Sequence, residues 1–165
     1  EIIIKGAAVG FADVPLCEKE PYIIRYAEMI DNWAECDCFC SCIKVKKSEA
    51  DDLLRLAEGL MYRKEEFVSR VGTVLMFSKF SDEPTVRKAL TIYDRLPCGE
   101  YYRDMAVAWG ISVYCVRYPQ LIVKYLEHSP ISIAVKLAAA QKIRDSRRIS
   151  DEVKHRVTDT VNAQR

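Results

Sequence analysis

Residues 31–40 read DNWAECDCFC and hold the features that decide how this chain folds. Asp31 and Asn32 are favoured at helix N-caps, so a helix is predicted to begin at Trp33. Trp33 and Asp37 are four residues apart, which places them on one face of that helix, one turn from each other. A flat apolar ring beside a carboxylate suits a ligand that is flat, sugar-like and cationic.

A helical apolar period extends from this stretch over nearly the whole chain, and no two-residue hairpin pattern interrupts it. Ser48 is predicted to cap one helix. Tyr22, Ile23, Tyr26 and Ile30 are predicted to form the buried side of another. The predicted helices span residues 1–10, 18–30, 33–45, 48–62, 65–80, 82–96, 100–118, 119–127, 131–148 and 150–162.

These helices repeat along the chain. Trp33, Phe67 and Tyr102 each open an apolar helix, at intervals of 34 and 35 residues. The partner helices align on Leu53, Val86, Leu121 and Val153. A helix-pair period in the middle thirties indicates an all-α solenoid, because each pair must stack on its neighbours to cover its apolar face. The sequence therefore predicts one repeat domain over residues 1–165, a curved array of antiparallel helix pairs.

Charge is distributed unevenly along the 165 residues, although the formal net charge is only +1. Residues 131–165 carry eight Lys or Arg against four acids, and residues 1–130 carry 17 against 20. A basic end permits phosphate binding without requiring it. No apolar run approaches the length that spans a membrane. The apolar start at residues 2–4 leads us to expect that an N-terminal segment is missing.

Four of the seven cysteines fall at every second position between Cys36 and Cys42. Zinc ligands come from two segments, each with ligands two to four residues apart. The chain offers no second cluster, because His128 and His155 stand alone. The cysteines are predicted to be small buried thiols in a reducing cytoplasm, and no metal or cofactor is expected.

Several stretches carry a resemblance to one family of enzymes. Residues 31–40 resemble the AlkD-like DNA alkylation repair enzymes, which are DNA glycosylases built from HEAT-like repeats. Three further stretches are similar to the same family: residues 70–76 (RVGTVLM), 100–109 (EYYRDMAVAW) and 141–146 (QKIRDS). Residues 1–11 are similar to the part of that family just ahead of the first motif. The resemblance implies a HEAT-like α-solenoid that lacks an N-terminal repeat.

The resemblance also implies an activity. Such enzymes hydrolyse the N-glycosidic bond of positively charged N-alkylated purines, such as 3-methyladenine and 7-methylguanine, in duplex DNA. Carried over by motif, Trp33 would contact the sugar, Asp37 would be the catalytic carboxylate, and Arg70 would hold a phosphate. A cationic base leaves readily, so a carboxylate acts by stabilising positive charge at the sugar. Alkylated double-stranded DNA is the expected partner of a cytoplasmic, monomeric protein.

Further DNA contacts are expected along the concave wall and at the basic end. The candidates are Tyr102, Trp109, Lys142, Arg144, Arg147 and Arg148. Each has a structural alternative, because aromatic residues of apolar helices commonly form core and charge runs are commonly solvated surface. The family has a second Trp where this chain has Gln141, which leaves open a non-catalytic protein that binds DNA structure. The low net charge leaves open a protein–protein scaffold.

The three candidate catalytic residues also have structural alternatives. Trp33 could be core, Asp37 could be a paired structural acid, and Arg70 could bridge two repeats. The repair-enzyme hypothesis requires Trp33 and Asp37 to face outward toward bound duplex. An acid sealed in the interior and paired with a cation, with no hollow in front of it, would indicate a repeat scaffold instead.

Overall fold

The computed structural model describes the backbone of residues 2–165 and the side chains from Ile4 onward; Glu1, the start of the first predicted helix, lies outside the described residues. Over this range the chain is all-helical, with ten α-helices, one 3-10 turn at Lys47–Glu49 and no strand. This confirms the predicted all-α class. The helices are α1 (Ile2–Phe11), α2 (Leu16–Ala27), α3 (Trp33–Cys42), α4 (Ala50–Met61), α5 (Glu66–Lys79), α6 (Glu83–Tyr93), α7 (Tyr101–Arg117), α8 (Pro119–His128), α9 (Ile133–Asp145) and α10 (Asp151–Asn162).

Side-chain caps explain where several helices begin. Asn32 caps α3, because its side-chain oxygen accepts a hydrogen bond from the Glu35 N–H at 3.0 Å. Asp82 caps α6 in the same way, accepting from the Thr85 N–H at 3.0 Å. Each cap satisfies a backbone donor that has no partner inside its helix. Both of these helix starts follow from the sequence.

The predicted cap at Ser48 is wrong. Ser48 lies inside the 3-10 turn, and α4 begins two residues later. The neighbouring Glu49 carboxylate instead accepts hydrogen bonds from the Leu16 N–H at 2.7 Å and the Lys46 N–H at 2.9 Å. These backbone hydrogen bonds lower the pKa of Glu49. Glu49 thus ties the start of α2 to the turn before α4, across 33 residues that sequence reasoning could not bridge.

The chain divides into two compact units, residues 1–80 and 81–165. In the first, α1 packs on α3, α3 packs on α5, and α4 runs along α5. In the second, α7 packs on α8 and α9, and α10 packs on both of those helices. The single curved array over residues 1–165 stays a prediction. Among the described residues, no helix is both long and apolar enough to cross a membrane.

The core of the first unit centres on α5, whose residues 68–77 are all buried. On α2, Ile23 and Tyr26 point into the core as predicted, and so does Ile30 beyond its C-terminal end. The prediction for Tyr22 is wrong, because its side chain is 64% exposed. The helical period places positions 23, 26 and 27 inward, and position 22 falls outside that arc.

The prediction that the cysteines are buried holds only in part. Cys36, Cys40 and Cys115 are buried, and Cys42 is half-buried. Cys17, Cys38 and Cys98 are exposed. All seven are free thiols. On α3 the every-second-residue spacing cannot place all four thiols on one side, because a helix turns by about 100° per residue.

Native alkylation with iodoacetamide should therefore separate the thiols into two classes. We expect Cys17, Cys38 and Cys98 to be labelled first, with Cys40 and Cys115 protected until denaturant is added. Burial raises the pKa of Cys115 to about 12 and also raises the pKa of Cys40, so both remain poorly nucleophilic at neutral pH. Peptide mass spectrometry measures the labelling, and early modification of Cys115 would contradict this burial.

Helices α4 and α5 touch backbone to backbone at Gly72. A Cβ added there would lie 2.5 Å from the Met61 nitrogen and 2.6 Å from the Ala57 carbonyl oxygen. Gly59, inside α4, is the opposite case, because an added Cβ would meet no atom within 4 Å. The first glycine is required by packing, and the second is not required by any neighbour.

The substitution Gly72→Ala should lower the free energy of unfolding by about 1–3 kcal/mol or more, because backbone atoms cannot give way as side chains do. The matched substitution Gly59→Ala should raise it by about 0.5–1 kcal/mol, the cost of glycine in a helix interior. Urea unfolding followed by circular dichroism measures both. Equal stabilities of the two variants would contradict the close contact of α4 and α5.

Candidate functional site

Helix α3 presents the first part of the predicted site. The Asn32 cap starts the helix at Trp33, and Asp37 follows one turn later on the same helix. Trp33 is 57% exposed, although tryptophan normally buries most of its large surface. Phe39, on the same helix, is 2% exposed and packs on the ring of Tyr26 at 4.5 Å. The core alternative for Trp33 is thus wrong.

Asp37 is joined to Arg70 of α5 by a bidentate ion pair. The Arg70 Nη2 donates to Asp37 Oδ1 at 2.9 Å and to Oδ2 at 3.0 Å, and its Nε donates to Oδ1 at 3.2 Å. The Arg70 side chain is 6% exposed and the Asp37 side chain 20%. Charge-assisted bidentate pairs are among the strongest hydrogen bonds in proteins, and their planar geometry holds both groups in one orientation.

The position of Arg70 follows from the burial of α5. Its neighbours Ser69 and Val71 are 0% exposed. The Ser69 hydroxyl donates to the Met61 carbonyl oxygen of α4 at 2.7 Å. On the other side, the Cys40 thiol of α3 lies 3.7 Å from the Val71 carbonyl oxygen and donates to it. These contacts fix α5 against α4 and against α3 beside the ion pair.

The repair-enzyme hypothesis requires Asp37 to face outward, and the structure gives one observation against this requirement and one for it. The carboxylate is paired with a cation, as a structural acid would be. It is not sealed, because a fifth of its side chain is exposed and Trp33 is exposed one turn away. The first unit has a cavity of about 450 Å³ between α2 and α4 and another of about 290 Å³ beside the α1–α2 connector. Neither Trp33 nor Asp37 lines either cavity.

In the second unit, three of the predicted DNA-contacting residues line one cavity. Trp109 of α7, Lys142 of α9 and Arg148 of the following connector surround a volume of about 320 Å³. Apolar side chains line the cavity as well as these two cations. An aromatic surface next to cations suits a ligand with flat and anionic parts, as a nucleotide unit has.

Sequence reasoning missed the other residues of this cavity, which are Ser112, Val113, Val116, Asp145 and Ser146. Helical spacing would have found three of them, because positions 112, 113 and 116 follow Trp109 at three, four and seven residues. Asp145 carries the opposite charge and partly offsets the two cations. Within the described part of the chain, no three His, Cys, Asp or Glu side chains are grouped to hold a metal ion.

The remaining predicted DNA-contacting residues do not line this cavity. Tyr102 is half-buried and makes an edge-to-face contact with Tyr101 at 5.1 Å. Arg144 and Arg147 are exposed. The Arg144 guanidinium donates to the side-chain oxygen of Gln141.

Gln141 stands where the AlkD-like enzymes have an aromatic residue, and its side chain takes part in a polar network. In addition to accepting from Arg144, the Gln141 amide donates to an Asp145 carboxylate oxygen at 2.8 Å.

The basic end is less available to a partner than its charge suggests. Lys136 is 5% exposed and donates to the Gln164 side-chain oxygen at 2.5 Å. Burial lowers the pKa of Lys136. Lys154 pairs with Asp151 at 3.2 Å. Exposed cations of this end are Arg144, Arg147 and Arg148 after α9, and Arg156 and Arg165 further along the chain.

Comparison with protein-family models, with curated protein sequences and with solved structures gives no match to this chain. We therefore infer function from the geometry of the two sites.

Exposure of Trp33 predicts that this residue contributes little to stability. The substitution Trp33→Ala should change the free energy of unfolding by less than about 1 kcal/mol, as for surface residues. The matched substitution Phe39→Ala on the same helix should cost about 3–5 kcal/mol, because it empties a packed core position. Thermal and urea unfolding measure both, and a comparable loss from Trp33→Ala would place this indole in the core.

Proposed function

We propose that this chain is a DNA glycosylase that excises positively charged N-alkylated purines, such as 3-methyladenine and 7-methylguanine, from duplex DNA. The observation that carries the proposal is the exposed indole of Trp33 one turn from the partly exposed carboxylate of Asp37. An AlkD-like repair enzyme would use these two groups against the sugar of the damaged nucleotide.

The chemistry needs little from the protein, because the alkylated base already carries a positive charge. When the N-glycosidic bond breaks, its electron pair leaves with the base and neutralises it, and positive charge develops at C1′ of the sugar. The Asp37 carboxylate stabilises that charge electrostatically. A water oxygen then bonds to C1′, and one proton of that water passes to solvent. The face of Trp33 favours the cationic sugar by about 0.5–2 kcal/mol.

The second unit supports the proposal with a basic surface. Lys142 and Arg148 would contact backbone phosphates, and Trp109 would stack on or beside a nucleotide. Arg144 and Arg147 are exposed on the same segment and would add backbone contacts. Tyr102 would contribute its half-exposed ring.

A second candidate is a non-catalytic protein that binds DNA structure. The ion pair favours it, because Arg70 occupies both carboxylate oxygens of Asp37. The polar network of Gln141 favours it too, since no second aromatic group stands at that position. Such a protein would bind DNA in a salt-dependent manner but would not release a base.

Excision of 7-methylguanine from a duplex tests the proposal directly. We expect the parent protein to release the base and Asp37→Asn to be slower by about 100-fold, the usual loss when one electrostatic stabiliser is removed. The released base is measured by chromatography under single-turnover conditions. A melting curve of the variant checks that the loss of charge opposite Arg70 has not unfolded the protein.

Asp13→Asn is the matched control, because it removes an exposed carboxylate from the α1–α2 connector and should leave excision unchanged. A parent that binds duplex but releases no base would favour the non-catalytic candidate. Absence of binding even at low salt would leave a protein–protein scaffold. An Asp37→Asn variant as active as the parent would remove Asp37 from the mechanism.

A further inference from the structure

The ion pair at Asp37 assigns Arg70 a role other than the phosphate contact that the family resemblance implies. The Arg70 Nε and Nη2 atoms both donate to the Asp37 carboxylate, at distances of 2.9–3.2 Å. The Arg70 side chain is 6% exposed, whereas a phosphate-binding guanidinium needs an accessible edge. Little of Arg70 is presented to a DNA backbone in this arrangement.

The ion pair uses the Nε and Nη2 edge of Arg70, so a phosphate bound at that edge would displace Asp37. If Nε and Nη2 moved to a phosphate, the partly buried Asp37 would lose its cation, which is costly for a carboxylate of low exposure. The movement is also opposed by packing, because Ser69 and Val71 on either side of Arg70 are 0% exposed. The contacts of Ser69 with α4 and of Val71 with α3 hold this turn of α5 in place.

We infer that Arg70 is a positioning residue that fixes the plane of the Asp37 carboxylate and keeps its charge in place, and that it does not bind DNA phosphate. The inference rests on the proposed glycosylase function. The bidentate bond leaves Asp37 one orientation relative to α3, with Trp33 one turn away on the same helix. A carboxylate held in this way needs no reorientation when charge develops at the sugar. The phosphate contacts are then left to other cations, such as Lys142 and Arg148.

The salt dependence of DNA binding distinguishes the two roles. Each protein–phosphate contact contributes about −0.9 to the slope of log K against log salt concentration. We expect Arg70→Met to keep the slope and the affinity of the parent for 7-methylguanine duplex, and to lower kcat by about 100-fold. We expect Arg70→Lys to restore part of kcat, because an ammonium retains the charge but cannot form the planar bidentate bond.

A phosphate-binding Arg70 gives the opposite pattern. Its removal would reduce the magnitude of the slope by about 0.9 and raise KM while kcat changes little. That result overturns the inference and leaves the glycosylase function standing. A parent that releases no base overturns both together, so the two failures are distinguishable.

Arg70→Met could also lose activity by unfolding, because the substitution leaves the Asp37 carboxylate without its cation. The double variant Asp37→Asn, Arg70→Met has no unpaired charge and reports on DNA binding in a folded protein. We expect its salt slope to equal that of the parent. A slope reduced by about 0.9 in the double variant would overturn the inference whatever the stability of the single variants.

Discussion

The bidentate bond between Asp37 and Arg70 is the interaction on which the candidate site depends. It joins α3 to α5 at a point where α5 is buried on every side. A guanidinium enters such an environment only with a partner that neutralises it, and Asp37 supplies that partner. The same bond sets the orientation of the one carboxylate that lies a turn from an exposed indole. Stability and site geometry therefore depend on the same pair of side chains.

Close packing around the pair restricts the movement of its helices. Gly72, two residues after Arg70, brings α5 against the backbone of α4, and the Cys40 thiol meets the Val71 carbonyl on the other side. Contacts with backbone atoms leave less freedom than contacts between flexible side chains. A site supported in this way can hold a charged group in place without a deep pocket, as the proposed function requires.

The second unit, like the first, places an indole near charged side chains. Trp109, Lys142 and Arg148 line one open cavity, together with the single carboxylate of Asp145. The first unit thus has an exposed indole beside an ion pair whose carboxylate is partly exposed, whereas the second has an indole beside two cations and one acid. The proposed function assigns bond cleavage to the former and backbone binding to the latter.

Local sequence alone determined the all-helical class, most helix positions and the caps at Asn32 and Asp82, because apolar period and capping act over only a few residues. It also placed Trp33 and Asp37 on one face. Only the tertiary structure decided that Arg70 pairs with Asp37, that Glu49 caps a helix 33 residues away and that Tyr22 is exposed. Those outcomes depend on which helix packs against which, and no periodicity within one helix carries that information.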